Sequence, residues 1–215
     1  MTNATHPVQF FRRGLFALIA LAGLAGATSA PAIAQTVTSD QAVSFINTLG
    51  NQIVGLINEG VDSSSRRQGI QTVVDRDVDV DGIAKFCLGR FWRIATPDQQ
   101  QQYLMLFHDV LMRSVTANLG DYQGVTFKVG TVVPSSDGNG VAVQTVLTRP
   151  NNAPNNVQWL VISKGGGLKV SDLVVEGTSL KLTKREEYAS YLQNNGNNVG
   201  ALISALQAQA QGQGS

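Results

Sequence analysis

Two acids on one alternating stretch are the residues best suited to chemistry in this 215-residue chain. In VSDLVVEGTSLKLTKREEY (170–188), Asp172 and Glu176 stand four residues apart, on what would be one face of a strand. Such a pair could serve as general acid and base. A strand advances about 3.3 Å per residue, which puts their backbones about 13 Å apart. Carboxyls that cleave a glycosidic bond sit roughly 5–9.5 Å apart, so the pair works only if the strand bends sharply at Glu176-Gly177. The expected role is structural: one acid accepts hydrogen bonds from a neighbouring turn, and the other leads the chain out of the sheet.

The remaining chemical inventory is thin. His108 is the only histidine after residue 34, and Cys87 is the only cysteine, so no Cys/His metal cluster and no internal disulfide can form. A Cys87–His108 nucleophile pair would need the thiol ionised. Cys87 lies among Phe86, Leu88 and Gly89, an apolar setting that raises a thiol's pKa and favours packing. HExxH, CxxC and GxSxG are absent from the sequence, and Lys164-Gly165-Gly166-Gly167 lacks the strand–loop–helix context of a phosphate cradle, so it reads as a hairpin turn. The pattern points to no enzyme, no cofactor and no metal.

The N-terminus has the three parts of a secretory signal peptide: Arg12-Arg13, the apolar run 14–27, and Ala32-Ile33-Ala34 before Gln35. Cleavage after Ala34 is expected, by the general secretory or the twin-arginine route, with residence in the periplasm. Removing residues 1–34 takes Arg12 and Arg13 and no acid, so the net charge moves from +1 to −1. No basic stripe remains, which argues against a nucleic-acid partner.

Periodicity divides residues 35–210 into helices, strands and helices again, an α+β domain. Ser39-Asp40 caps a first helix that presents Val43, Ile46, Leu49, Ile53 and Leu56. A second follows at 63–74, and a third starts at Asp79 or Asp81. Thr96-Pro97-Asp98-Gln99 is a capping box for a helix that presents Leu104, Phe107, Leu111, Ser114 and Val115, completing a helical part over 39–120. From 124 to 177 the period becomes 2. Four strands separated by turn-forming PSSDGNG, RPNNAPNN and KGGG imply an antiparallel meander. Helices return over 183–210, the first from a Thr183–Glu186 capping box, the last carrying Val199, Leu202, Ile203 and Leu206; residues 211–215 read as a frayed tail.

Leu88, Phe91, Trp92, Leu104, Phe107 and Leu111 form a bulky apolar set on the helices, and Phe127, Val129, Val143, Trp159 and Val161 lie on one face of the strands. An ordinary core and a lipid pocket use the same residue types, so periodicity does not separate them. In the second case the strand face would turn toward Phe91, Trp92 and Phe107.

At CLGRFWRIATPDQQQQYLMLFHDVL (87–111) the sequence resembles the MlaC family of periplasmic phospholipid-binding, or toluene-tolerance, proteins. The resemblance runs through Leu88-Gly89, Phe91-Trp92, Ala95-Thr96-Pro97, Gln99 or Gln100, Phe107, Leu111, Leu119, Tyr122 and Gly124. It resumes at Asp172, Glu176-Gly177, Ser179-Leu180, Arg185 and Tyr188. Val115 departs from it, standing where the family often has tyrosine. The resemblance implies a cone-shaped, NTF2-like domain whose helical lobe and four-stranded sheet enclose acyl chains in an apolar cavity. It implies a monomeric carrier that moves phospholipid between an outer-membrane lipoprotein complex and an inner-membrane ABC transporter with an MCE-domain subunit. The alternative is a small α+β enzyme or binding module that acts through Asp172 on another apolar metabolite, such as a hopanoid.

Overall fold

In a computed structural model, residues 37–60, 62–117, 122–135 and 138–212 are described, all within one compact unit, Gln35–Ser215. The expected leader and its cleavage site lie outside the described residues, as does the end of the tail (213–215). Four helices come first: α1 (Ser39–Asn58), α2 (Ser63–Asp77), α3 (Val80–Leu88) and, after a 3-10 turn at Gly89–Arg93, α4 (Pro97–Ala117). Strands β1 (Thr126–Pro134), β2 (Val141–Thr148), β3 (Asn155–Lys164), β4 (Gly167–Val175) and β5 (Thr178–Ser179) follow, then α5 (Leu180–Asn194) and α6 (Val199–Ala210). The sheet is an antiparallel meander in sequence order.

Side-chain caps set most helix starts. Thr38 and Gln41 form a reciprocal capping box at α1, one residue before the expected Ser39-Asp40 cap. Asp62 accepts from the Ser64 and Ser65 amides at 2.9 and 3.0 Å; the Ser64 hydroxyl above all, then the Ser65 amide and hydroxyl, hold its carboxyl well below the usual range. Asp79, not Asp81, caps α3 through the Gly82 amide, and its carboxylate also takes Lys164 Nζ at 2.6 Å. The Thr96–Gln99 capping box forms as its spacing predicts.

Two expectations fail at the second half. The sheet has five strands because Glu176 (φ +47) and Gly177 (φ +83) both adopt left-handed backbone. That pattern belongs to a tight two-residue hairpin, and it folds Thr178-Ser179 back onto β4. Helix α5 then begins at Leu180 instead of Thr183. Ser179 Oγ accepts from the Leu182 amide at 3.0 Å, and a helix already under way leaves Thr183 to donate back to the Ser179 carbonyl.

Helix α1 lies across one face of the sheet. Its Ala42, Ile46 and Leu49 pack with Val73, Val143, Val161 and Val170, all buried. A Cβ on Gly50 would fall 2.3 Å from Phe127 Cζ, and one on Gly69 2.5 Å from Leu56 Cδ2, so α1 meets both neighbours at glycine. The other core joins α3, α4, α5 and α6 around Cys87, Leu88, Tyr103, Phe107, Tyr188, Leu192 and Leu206.

Candidate functional site

The eleven apolar candidates separate into two groups. Leu88, Phe91 and Phe107 are buried in the helical core, with Trp92, Leu104 and Leu111 half-buried against it. Val143 and Val161 are fully buried in the core beneath the sheet, with Val129 and Trp159 against it, while Phe127 rests on α1 at Gly50. The strand face is therefore the expected one, but its covering differs. It turns onto α1 and α2 rather than onto Phe91, Trp92 and Phe107, because α1 occupies that side of the sheet. Ile53, Leu56 and Val78 touch both cores and form the seam between them.

Sequence periodicity missed one ring, Tyr103. On α4 the buried set is Tyr103, Phe107 and Met112, whereas Ser114 and Val115 are exposed, so the inward face is rotated from the expected one. Tyr103 is fully buried, and its hydroxyl donates to the Ala84 carbonyl at 2.7 Å. Tyr103, Phe107 and Tyr188 form a ring cluster with centroids 5.9–6.4 Å apart. Burial pushes both tyrosine hydroxyls well above their usual pKa, so they stay neutral. The i, i+4 spacing of Tyr103 and Phe107 was the available signal. On the sheet, Trp159 Nε1 donates to Thr145 Oγ1 at 2.9 Å, and Thr145 donates to the Val157 carbonyl at 3.1 Å. This relay satisfies the polar atoms that enter the sheet core.

The polar candidates are engaged elsewhere. Asp172 is 5% exposed and sits beside a bulge at Ser171, opposite Leu160. Its Oδ1 accepts from the Leu173 and Lys181 amides at 2.8 and 3.0 Å, and Oδ2 accepts from Ser179 Oγ at 2.5 Å. Glu176 lies beyond the strand, in the hairpin, and accepts from the Asn156 amide at 2.5 Å. Asp172 thus fixes the start of α5, whereas Glu176 fixes the start of β3. They share neither a strand face nor a partner.

Cys87 and His108 form no pair either. The Cys87 thiol is buried, donates to the Lys181 carbonyl at 3.6 Å, and is pushed up to about 12 by that burial. His108 Nε2 donates to Asp75 Oδ1 at 2.6 Å, linking α4 to α2. Among the described residues no group of three or more His, Cys, Asp or Glu could hold a metal ion, and no helix is long and apolar enough to cross a membrane.

Two shallow clefts mark the surface. One of about 300 Å³ lies between the start of α1 and the β3–β4 turn, lined by Val37, Gln41, Ser44, Ser163 and Leu168 among others. The second, about 350 Å³, lies between α2, α4 and the end of α6, and includes Arg67, His108, Asp109 and Arg113. None of the eleven apolar candidates lines either cleft. Those residues sit in the interior or against it.

Comparison with known proteins agrees with this architecture. A family profile described as MlaC protein matches residues 47–208. A curated relative, the toluene tolerance protein ttg2D of Pseudomonas putida, is 32% identical over 129 residues, 59% of this chain and 59% of that protein. The match thus spans less than two thirds of the relative's length. A solved structure, described as the phospholipid-binding protein from Ralstonia solanacearum in complex with a phospholipid, superposes with a TM-score of 0.69. The two share 24% identity, over 82% of this chain and 99% of that one, and so share the fold.

Proposed function

The chain belongs to the MlaC family, and on that premise we propose that it is a non-catalytic carrier of phospholipid. The acyl chains enter along the seam of Ile53, Leu56 and Val78, where the helical core meets the core beneath the sheet. That seam is the observation that carries the reading: two separately packed apolar clusters joined by side chains that touch both. Parting them exposes apolar surface, and acyl chains cover it again. Each buried CH₂ contributes about 0.8 kcal/mol, so a diacyl lipid supplies ample driving force for uptake. The Ralstonia solanacearum protein that shares this fold is described as being in complex with a phospholipid, which supports the same cargo here.

The polar chemistry supports carriage over turnover. Asp172, the best catalytic candidate, spends both oxygens on three donors at the start of α5. We further propose that the protein is exported to the periplasm, acts as a monomer, and moves lipid between an outer-membrane lipoprotein complex and an inner-membrane MCE-domain ABC transporter.

Native mass spectrometry of the protein purified from the periplasm tests the reading. The expected spectrum shows residues 35–215 with phospholipid-sized adducts, and extraction yields diacyl lipid. Protein that is lipid-free from the cell and takes up none from vesicles would overturn it.

A further inference from the structure

Lipid carriage in the interior leaves one surface unexplained. Lys85, Arg90 and Arg93 lie on α3 and the 3-10 turn, and Lys181, Lys184 and Arg185 lie on the first turns of α5. The same stretches, 80–94 and 180–194, hold only three acids, Asp81, Glu186 and Glu187. The whole chain has 16 basic and 15 acidic residues, so everything outside them is net acidic. Positive charge is concentrated where α3 meets α5.

Aromatic rings back these cations. Lys181 Nζ and Arg185 Cζ stand 4.6 and 4.7 Å from the centre of the same Phe86 ring. Lys85 Nζ is 5.3 Å from the Trp92 ring, and Arg90 Cζ is 4.9 Å from the Phe91 ring. The Arg185 guanidinium also lies against Gly89, where a Cβ would be 3.4 Å away, so the two segments touch. Of the six cations, Lys184 alone has a carboxylate partner among the described residues, Glu187 at 2.5 Å. Lys181 and Arg185 are four residues apart on one helix, a spacing at which like charges repel. Asp172 offers no relief, being buried with its oxygens already taken. Leu180, Leu182 and Ile94, in the same segments, are 48%, 49% and 67% exposed.

We propose that this face docks the protein on an anionic phospholipid bilayer. The cations meet headgroup phosphates, and Leu180, Leu182 and Ile94 reach the acyl boundary. A soluble phosphate ligand would match the cations but would leave the exposed Leu180, Leu182 and Ile94 without a role. An acidic protein would match the charges but gives outward leucines on a convex helix no pocket of their own. The proposal rests on this face and not on cargo in the interior.

The test uses Gln35–Ser215, which contains both apolar cores, mixed with sedimenting vesicles. Pure phosphatidylcholine is compared with an equal mixture of phosphatidylcholine and phosphatidylglycerol. Binding is expected to the mixture at low salt, to be lost at high salt, and to be absent from pure phosphatidylcholine. Each basic group near such a surface is worth about fivefold in affinity. The triple variant Lys85→Gln, Lys181→Gln, Arg185→Gln should therefore bind roughly 100-fold more weakly. If it melts early, Lys85→Gln alone should still give the fivefold loss. Arg67→Gln with Arg113→Gln removes charge at the second cleft and should leave binding unchanged. Leu180→Ser with Leu182→Ser should weaken binding without altering its salt dependence. Failure to bind the anionic vesicles at low salt overturns the proposal and leaves an acidic protein as the occupant of this face. Equal losses in the triple variant and the Arg67/Arg113 control also overturn it.

Discussion

Asp172 shows how a residue of catalytic type is taken up by architecture. A buried carboxylate that accepts three hydrogen bonds binds the end of β4 to the start of α5. Asp172→Asn keeps the shape but replaces one acceptor oxygen with a donor that faces the Ser179 hydroxyl or a backbone amide. A loss of about 1–3 kcal/mol in stability is expected, measured by chemical denaturation, with lipid content per folded molecule unchanged. Unchanged stability with lost lipid would assign Asp172 to the cargo instead. Its partners were not legible in the sequence, because the bulge at Ser171 and the hairpin at Glu176-Gly177 decide which way each acid points. Cys87 was legible, since its apolar neighbours already implied burial. Its thiol moves from an ordinary value of 9.0 up to about 12. The folded state thus keeps a proton that the unfolded chain releases above pH 9, so this contribution is full below about 9 and is lost as pH rises toward 12. Alkylation of Cys87 at pH 8 should be slow in the native protein and fast in denaturant, read by intact mass.

Helices and strands were largely readable from the sequence, and the exceptions share a cause. Thr96 and Gln99 announce α4 because a capping box is local chemistry. Thr183 and Glu186 carry the same signature, yet Ser179 captures the start of α5, since β5 has already delivered the chain to the sheet edge. Tertiary position outranks a local motif there. The α1–sheet contact was likewise invisible, because Gly50 gives no apolar signal while providing the seat for Phe127. Gly50→Ala would place a Cβ 2.3 Å from Phe127 Cζ and force the ring from its place. A destabilisation of about 1–3 kcal/mol is expected by denaturant titration. Gly60→Ala, with nothing within 4 Å of its would-be Cβ, should stay within about 0.5 kcal/mol of the parent.

At the scale of the whole molecule, the apolar candidates were legible as interior but not as two interiors. Periodicity marks an inward face without naming what it faces, and α1 claimed the side of the sheet that seemed open to Phe91, Trp92 and Phe107. Val143 is fully buried beneath α1, and Thr148 is exposed on the opposite face of the same strand. A carboxylate at Val143 costs several kcal/mol unless it is protonated or reaches water. Val143→Glu should therefore lower both stability and retained lipid, whereas Thr148→Glu should change neither; melting curves and lipid extraction report the two. A folded Val143→Glu protein with a full complement of lipid would place the cargo away from the sheet. The two cores also constrain the order in which the chain can become itself. The strand residues of the core against α1, Val143, Val161 and Val170, lie beyond residue 125, and the helical core waits for Tyr188, Leu192, Val199 and Leu206. A chain emerging N-terminus first therefore keeps the apolar stripe of α1 incompletely covered until β4 appears, and that of α4 until nearly its last residues. Nascent chains stopped before α6 should be recognised by holdase chaperones and proteases as unfinished, however long they are.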